Sequence, residues 1–282
     1  MSASAVSLQA KVLCSVTMKI AAFNVQNLGP KKVKDDFVVG KLVKIMARYT
    51  VIVILEVQGK GNTVVKRLKK ELNETQDHPY EVICSEGLGR NSHNEKYAFF
   101  YREDEVELID QWQYEDEQEG DEDAFAREPF IVRFKCPKAA VEDLVLIPIH
   151  TKPDDSEKEI DELDDVVREV EEHWDTENIM ILGDFNADGR YMSRRKLDRS
   201  HLRSECYHWV IDDDEDTTVS GSNDHTYDRI VVYGEALKDA IVANSGKPYN
   251  FEKALRLSNE NALRISDHYP VEVKLKAKRR RS

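Results

Sequence analysis

The stretch that decides the fold is residues 144–186, LVLIPIHTKPDDSEKEIDELDDVVREVEEHWDTENIMILGDFN. It begins with an apolar run at residues 144–149, which is typical of a strand buried on both faces. Residues 156–159, SEKE, form a capping-box start for a helix. The apolar face of that helix consists of Ile160, Leu163, Val167, Val170 and Trp174. Because a second apolar run returns at residues 179–182, the stretch predicts a strand–helix–strand unit with parallel strands.

A second unit of the same kind opens the ordered part of the chain. Residues 18–25 predict one strand, and the apolar, β-branched run at residues 50–55 predicts another. Residues 33–49 lie between them and predict a helix, since their apolar positions recur in helical steps. These positions are Val38, Leu42, Ile45 and Met46. The chain therefore contains two predicted strand–helix–strand units.

Polar side chains of catalytic type stand directly after the strands of both units. Asn24 and Glu56 stand at the carboxyl ends of the strands of the first unit, and His150 and Asp184 stand at those of the second. Ligands in α/β proteins bind beyond the carboxyl ends of parallel strands. We therefore expect these four residues to contribute to one site.

The remaining pattern predicts an α/β protein with two packed sheets and outer helices. Further strands are predicted at residues 80–84, 97–101, 106–114, 130–134, 227–232, 237–242 and 271–275. A chain of 282 residues with 40% hydrophobic residues can form one large domain. We assign it to residues 18–275, after a flexible extension at 1–17 and before a basic tail at 276–282.

The net charge of −13 argues, on composition alone, against a nonspecific nucleic-acid binder, because phosphate backbones favour cationic partners. The charge is uneven, however. Residues 115–123 and 212–216 are acidic, whereas residues 276–281 are basic. Acidic runs are usually solvated loops, and their alternative use is to hold Ca²⁺ through several oxygen ligands.

Cysteine usage and the N-terminus favour an intracellular protein, with secretion as the alternative. The four cysteines contain no CxxC motif and no regular spacing, which indicates reduced thiols and argues against a zinc site. They are Cys14, Cys84, Cys136 and Cys206. Residues 3–16 lack the order of a secretory signal, and no stretch predicts a membrane span. The basic tail is either a nuclear address or a solvated end.

Each candidate site residue also has an ordinary structural interpretation. Glu56 can be a strand-end acid or a Mg²⁺ ligand. Asp184 and Asn186, after Gly183, can form a polar turn, or can place an anion near a metal and a donor near a phosphate oxygen.

His150 and Asp228 have structural alternatives too, as does the segment Ser266-Asp267-His268. Taken together, the residues match phosphodiester hydrolysis, which needs an activated water, a proton for the leaving oxygen and positive charge at the phosphate.

Several segments make the chain resemble the deoxyribonuclease I family. They occur in the family's order from about residue 18 to residue 275. These segments are KIAAFN (19–24), LGRNS (88–92), AREP (126–129), GDFNA (183–187), DTT (216–218), YDRI (227–230) and ISDHYP (265–270). GDFN with SDH alone marks the wider endonuclease/exonuclease/phosphatase superfamily, and the other segments indicate the deoxyribonuclease branch.

The resemblance implies a four-layer α/β sandwich that cleaves DNA with Mg²⁺ and Ca²⁺. It implies two acid/base pairs, His150 with Glu95 and His268 with Asp228. It implies DNA or phosphate contacts from Asn24, Arg90, Arg127, Asn186 and Tyr227. It implies Mg²⁺ ligands at Glu56, Asp184 and Asp267, and a Ca²⁺ site near Asp116, Asp123 and Glu128.

The chain departs from the family's archetype in three places. Gln58 and His93 stand where an arginine and a tyrosine enter the minor groove, and Gln26 replaces another arginine near DNA. We therefore expect weaker, more salt-sensitive binding. Gly189 and His225 stand at the positions of the main disulfide. Residues 82–84 differ from the actin-binding segment, so we do not expect actin binding.

The favoured function is therefore a metal-dependent endonuclease for DNA with little sequence specificity, acting as a monomer. The alternative is a phosphodiesterase or phosphatase of the same superfamily that acts on a non-DNA phosphate ester. A third hypothesis is a non-catalytic binding protein on this scaffold, which the presence of all acid/base positions disfavours.

Overall fold

The computed structural model describes residues 17–90, 94–116 and 124–279. The predicted extension up to residue 16, His93, Asp123 and the last three residues of the basic tail lie outside these ranges. The strands are β1 (Met18–Leu28), β2 (Val51–Val57), β3 (Tyr80–Cys84), β4 (Lys96–Arg102), β5 (Glu107–Gln113), β6 (Phe130–Lys135), β7 (Asp143–His150), β8 (Ile179–Asp184), β9 (Tyr207–Trp209), β10 (Asp228–Tyr233), β11 (Lys247–Pro248) and β12 (Val271–Leu275). The helices are α1 (Asp36–Met46), α2 (Thr63–Thr75), α3 (Ser156–Trp174), α4 (Arg194–Leu197), α5 (Glu235–Ala240), α6 (Phe251–Ala254) and α7 (Asn259–Leu263).

The strands form two mixed sheets of six strands each. Their orders are β11-β12-β1-β2-β4-β3 and β5-β6-β7-β8-β10-β9. The pairs β1–β2 and β7–β8 are parallel, and the other pairs are antiparallel. Helix α1 connects the first parallel pair and α3 connects the second. Both predicted strand–helix–strand units are therefore confirmed.

Alternate side chains of the central strands pack on opposite faces of each sheet. This arrangement gives a four-layer sandwich, with two sheets between outer helices. In β2, Val51, Val53 and Leu55 lie in the core between the sheets, whereas Ile52 and Ile54 pack with residues of α1 and α2. In β7, Leu144 and Leu146 lie in the core between the sheets, and Val145, Ile147 and Ile149 pack with α3. Because both faces of these strands are covered, their sequences are continuously apolar. The predicted fold class is confirmed.

Some predicted boundaries were wrong at the helix starts. The expected helix 33–49 is a short 3₁₀ turn (Lys32–Lys34) followed by α1, because the Asp35 side chain accepts hydrogen bonds from the amides of Phe37 and Val38. The capping box at residues 156–159 is also absent. Glu159 instead accepts hydrogen bonds from the amides of Ala126 and Lys152.

Two further elements differ from the sequence-based prediction. Residues 237–242 do not form a strand: α5 covers Glu235–Ala240, and its buried residues Leu237 and Ala240 are three apart on one helix face. Helix α2 was not predicted. It packs through Val64, Val65, Leu68 and Leu72.

Two further findings concern membrane-spanning helices and cysteine thiols. Within the described ranges, no helix combines the length and the apolar character needed to cross a bilayer. Cys84, Cys136 and Cys206 are free thiols.

Candidate active site

Three polar side chains lie in one row across the second sheet. His150 and Asp184 are register partners in parallel strands β7 and β8, and Asp184 and Asp228 are partners in antiparallel β8 and β10. All three are buried. The last residues of two strands and the first residue of a third therefore meet at one edge, as the positions after the apolar runs predicted for His150 and Asp184.

Gly183 allows this row to form. Its φ is +145°, and a Cβ built on it would lie 2.0 Å from the carbonyl oxygen of Ile149. Only glycine tolerates this backbone and this approach. Strand β8 therefore packs closely against β7, and the amide of Thr151 donates to the carbonyl of Asp184 at 3.0 Å.

The first sheet contributes its own polar residues to the same edge. Asn24 Nδ2 donates to Asp184 Oδ2 at 3.0 Å, which links the two sheets. Glu56 has a φ of +56° and lies where the pairing of β2 with its neighbours shifts register. Its Oε2 accepts a hydrogen bond from the amide of Asn27 at 2.7 Å. Left-handed backbone at a residue other than glycine is costly and is concentrated at functional sites.

Each histidine is held by a carboxylate. His150 Nδ1 lies 2.9 Å from Glu95 Oε2, and His268 Nδ1 lies 2.7 Å from Asp228 Oδ2. A carboxylate that accepts the Nδ1 hydrogen fixes the ring and leaves Nε2 for chemistry. The structure therefore brings together both pairs that the resemblance implied.

The two Nε2 atoms converge on one oxygen. Each lies 3.7 Å from Asp184 Oδ2. His150 Nε2 also lies 4.0 Å from Glu56 Oε1, and His268 Nε2 lies 3.8 Å from Asp267 Oδ1. Two rings and three carboxylates thus form one continuous cluster.

The carboxylates of this cluster raise the pKa values of both histidines. Burial opposes protonation of His268, but the neighbouring Asp228 and Asp184 outweigh it and raise its pKa to about 10. Burial raises the pKa of Asp228 to about 6, against the lowering effect of His268. The pKa of His150 is also raised, because Glu95 and Asp184 outweigh its burial.

The two arginines named by the resemblance are placed differently from each other. Arg127 donates through Nη1 to the His150 carbonyl at 3.1 Å, and its Nε lies 2.9 Å from Glu95 Oε2. Arg127 therefore contacts both members of the His150–Glu95 pair and helps to hold them in place. Arg90 is exposed and donates to the Phe125 carbonyl at 2.9 Å.

The remaining predicted site residues border the same cluster. Asn186 is buried and donates through Nδ2 to the Thr151 carbonyl at 3.0 Å, which leaves its second amide hydrogen. Tyr227 is half-buried, and burial raises the pKa of its hydroxyl to about 12. Asp267 Oδ2 accepts a hydrogen bond from Gln26 Nε2 at 2.8 Å.

The acidic loop expected to hold Ca²⁺ is described only in part. The amide of Ala124 donates to Asp116 Oδ2, while Asp116 Oδ1 is buried and has no hydrogen-bond partner among the described residues. Glu128 is half-buried nearby in sequence. Asp123 lies outside the described ranges.

Two supporting residues were not singled out from the sequence. Thr217 Oγ1 accepts hydrogen bonds from the amides of Tyr227 and Asp228 at 3.0 and 3.2 Å, which fixes the start of β10. Its signal was its place in the DTT segment. Lys32 donates to the carbonyls of Val25 and Gln26 at 3.0 and 2.6 Å, and burial lowers its pKa to about 8. Nothing distinguishes it in sequence from its neighbouring lysines.

The donor set fits a hard divalent cation. Glu56, Asp184 and Asp267 supply carboxylate oxygens to the cluster. Asp267 Oδ1 is buried without a hydrogen-bond partner in the part of the chain that the structure describes. A buried carboxylate oxygen without a partner is costly, and Mg²⁺ binds through carboxylates while keeping several waters.

The comparisons with known proteins agree with this geometry. Residues 21–268 match the Endonuclease/Exonuclease/phosphatase family. Deoxyribonuclease gamma of Homo sapiens is 40% identical over 94% of this chain and 88% of its own length. Deoxyribonuclease-1 of Gallus gallus is 41% identical over 94% of both chains, and deoxyribonuclease-1-like 1 of Homo sapiens is 41% identical over 92% and 84%.

Solved structures support the fold. An endonuclease/exonuclease/phosphatase from Bacteroides vulgatus matches with a TM-score of 0.61 at 15% identity, over 93% of this chain and all of the other. The human Nocturnin catalytic domain matches with a TM-score of 0.62 at 13% identity, over 93% and 95%. The chain belongs to the endonuclease/exonuclease/phosphatase family and, within it, to the deoxyribonuclease I-like deoxyribonucleases.

Proposed function

We propose that this protein is a divalent-metal-dependent endodeoxyribonuclease that hydrolyses the phosphodiester bonds of DNA with little sequence specificity. The supporting observation is that the Nε2 atoms of His150 and His268 both lie 3.7 Å from Asp184 Oδ2. Hydrolysis needs one group that takes a proton from water and another that gives a proton to the leaving oxygen. Relatives about 40% identical carry the name deoxyribonuclease, which favours DNA as the substrate.

The two histidine–carboxylate pairs divide the proton transfers. One histidine is neutral at Nε2 and accepts a proton from the water whose oxygen attacks phosphorus. The other is protonated at Nε2 and gives its proton to the oxygen released when the P–O bond breaks. Glu95 and Asp228 hold the Nδ1 hydrogens of His150 and His268, and they stabilise the imidazolium form in each case.

Glu56, Asp184 and Asp267 are the residues that would hold Mg²⁺. A bound Mg²⁺ would supply positive charge to the phosphate oxygens as their negative charge increases. Asn24 orients Asp184 through its 3.0 Å hydrogen bond. We also propose a supporting Ca²⁺ site from Asp116, Asp123 and Glu128, and the supporting observation is that Asp116 Oδ1 is buried without a hydrogen-bond partner among the described residues.

DNA contacts come from residues around this cluster. The proposed contacts are Asn24, Arg90, Arg127, Asn186 and Tyr227. Because Gln58 donates to Asn27 Oδ1 at 2.9 Å instead of presenting a cation, and because the net charge is −13, binding is weak.

We further propose an intracellular monomer that does not bind actin and whose basic tail acts as a nuclear address. A tagged protein lacking residues 279–281 tests the address, and an unchanged cellular distribution contradicts it. Size-exclusion chromatography of the protein alone tests the monomer, and elution at the size of a dimer contradicts it. The same experiment with actin tests the absence of actin binding, and co-elution contradicts it.

The substrate class is tested by incubating the purified protein with supercoiled plasmid, RNA, bis-p-nitrophenyl phosphate and a phosphoinositide. We expect plasmid nicking with Mg²⁺ and Ca²⁺, and none in EDTA. His208→Ala, an exposed histidine on β9, is the matched control and retains activity. Turnover of a small ester with intact plasmid supports the alternative phosphatase function, and nicking in EDTA contradicts the metal assignment.

A further inference from the structure

Glu159 is a completely buried acid that the proton transfers described above do not use. It lies in the first turn of α3, and its exposed fraction is 0%. A carboxyl group loses its hydration on burial, so neighbouring groups must compensate for that loss. The groups that do so here surround the catalytic His150, which gives Glu159 a possible part in the reaction.

One oxygen of Glu159 connects two segments of the active site. Its Oε1 accepts hydrogen bonds from the amide of Lys152 at 3.0 Å and from the amide of Ala126 at 3.3 Å. Lys152 comes two residues after His150, and Ala126 directly precedes Arg127. The carboxyl group therefore links the backbone that carries His150 to the backbone that carries Arg127.

The charged and titratable groups that face Glu159 lie on the segment before β6, at the end of β7 and on β4. Burial raises the pKa of Glu159 to about 7, against the lowering effects of the two amides, Arg127 and protonated His150. The pKa of the Tyr97 hydroxyl is raised, first by burial and also by the charge of Glu159. That hydroxyl accepts a hydrogen bond from the amide of His150 at 3.1 Å. Glu159 therefore acts on the same groups that hold His150.

We propose that Glu159 is a positioning residue for the deoxyribonuclease reaction, and that its ionised carboxylate fixes His150 and Arg127 relative to each other. This inference rests on the proposed function. Because Glu159 is fully buried, it acts only through these two residues and does not touch DNA. Without the carboxylate the two segments lose their common acceptor, and a shift of about 1 Å at a catalytic group can reduce a rate about 10²-fold.

The first test measures plasmid nicking by Glu159→Leu and Glu159→Gln at pH 8. Leucine is similar in size but has no acceptor, whereas glutamine keeps one oxygen for the two amides. We expect kcat/KM to fall about 10²-fold with leucine and about tenfold with glutamine. Glu172→Gln, at an exposed position of the same helix, is the matched control and keeps the wild-type rate. Equal losses with leucine and glutamine, or no loss with either, overturn the inference.

A double substitution separates positioning from a general loss of stability. Glu159→Gln is repeated in the His150→Ala protein, in which the positioned side chain is already absent. We expect a further loss of only about twofold, because residues that act as a unit have non-additive effects on the rate. The same tenfold loss in both backgrounds overturns the inference, since partial unfolding would reduce both rates equally.

The pH profile tests the charge of the carboxylate. Other ionisations are common to the wild type and Glu159→Gln, so the ratio of their rates isolates the ionisation of Glu159. Its carboxyl group is neutral below about pH 7 and ionised above it, and glutamine resembles the neutral form. We expect the ratio to rise from about twofold at pH 6 to about tenfold at pH 8. A ratio that stays constant or falls over this range overturns the inference.

Hydrogen exchange measures the link between the two segments without turnover. We expect amides in peptides that cover residues 124–127 and 150–153 to exchange faster in Glu159→Leu than in the wild type, and amides of β12 to exchange at the same rate in both. Unchanged exchange in both segments overturns the inference. This exchange pattern in a protein whose wild type cleaves no DNA contradicts the proposed function instead.

Discussion

Asp184 and Asp228 are register partners on neighbouring strands, where β8 ends and β10 begins. Their side chains belong to one cluster with His268, and the ligand atoms of the three lie within 4.8 Å of one another. Two buried carboxylates this close are stable only with compensating positive charge. Asp228 lies on Nδ1 of His268 and Asp184 lies near Nε2, so the imidazolium supplies part of that charge.

Replacing Asp228 by Asn tests this electrostatic role. The variant keeps an acceptor near Nδ1 but loses the charge, so burial is less opposed and the pKa of His268 falls. In the metal-free protein, NMR titration is expected to give a pKa well above 6.5 for wild-type His268 and a lower value for the variant. DNA cleavage is expected to fall about 10²- to 10³-fold.

Asp239→Asn is the matched control, because Asp239 is exposed on α5. It should change neither the titration nor the rate. An unchanged His268 titration in Asp228→Asn contradicts the assigned role of the carboxylate.

We expect replacement by alanine to have opposite effects on stability at Gly183 and at Gly40. Gly183→Ala places a Cβ 2.0 Å from the Ile149 carbonyl at a φ of +145°, and it should destabilise the fold by about 4 kcal/mol. Gly40 lies exposed within α1 with nothing within 4 Å of an added Cβ, so Gly40→Ala should stabilise by about 0.5–1 kcal/mol. Urea unfolding measures both, and equal effects of the two variants contradict the close approach of β7 and β8.

The contacts of Glu272 predict that the free energy of unfolding decreases at acid pH. It is buried on β12 and contacts Lys19 at 3.3 Å, Arg48 at 3.2 Å and the Tyr49 hydroxyl at 2.7 Å. Burial raises its pKa, but these partners outweigh it and lower the pKa below 4.5. Its folded pKa is therefore below its unfolded pKa, so the stabilisation is present above about pH 4.5 and is lost as pH falls through the folded value.

Glu272→Gln should therefore cost about 3 kcal/mol at pH 7. The difference from wild type should narrow as unfolding is measured at progressively lower pH below 4.5. A difference that is independent of pH contradicts the ionised state of Glu272.

The sequence predicted the parts of this protein that depend on local pattern. Stretches of four to eight mostly apolar residues identified the central strands, and the polar residues at their carboxyl ends identified Asn24, Glu56, His150 and Asp184. It could not predict that the Glu159 carboxylate accepts hydrogen bonds from the amides of Ala126 and Lys152 instead of capping α3. These hydrogen bonds depend on a loop that is distant in sequence. Residues 237–242 were misassigned because a short apolar segment fits a strand or a helix equally well.

The sequence also could not predict the contacts of Arg127 and Lys32. The resemblance implied a phosphate contact for Arg127, which stays a prediction, but it did not indicate that the guanidinium also contacts Glu95 and the His150 carbonyl. Lys32 donates hydrogen bonds to two backbone carbonyls of β1. Every residue has a backbone carbonyl, so the pattern of side chains does not indicate such a partner.

The most direct test of the central claim uses His150→Ala and His268→Ala on two DNA substrates. One is unmodified, and in the other the leaving oxygen, identified from the cleavage products, is replaced by sulfur. Because a thiolate leaves without protonation, the account predicts that both variants lose at least about 100-fold on unmodified DNA. It also predicts that sulfur restores the variant that lacks the acid and not the one that lacks the base. Wild-type rates in either variant on unmodified DNA, or equal responses of both variants to sulfur, would contradict it.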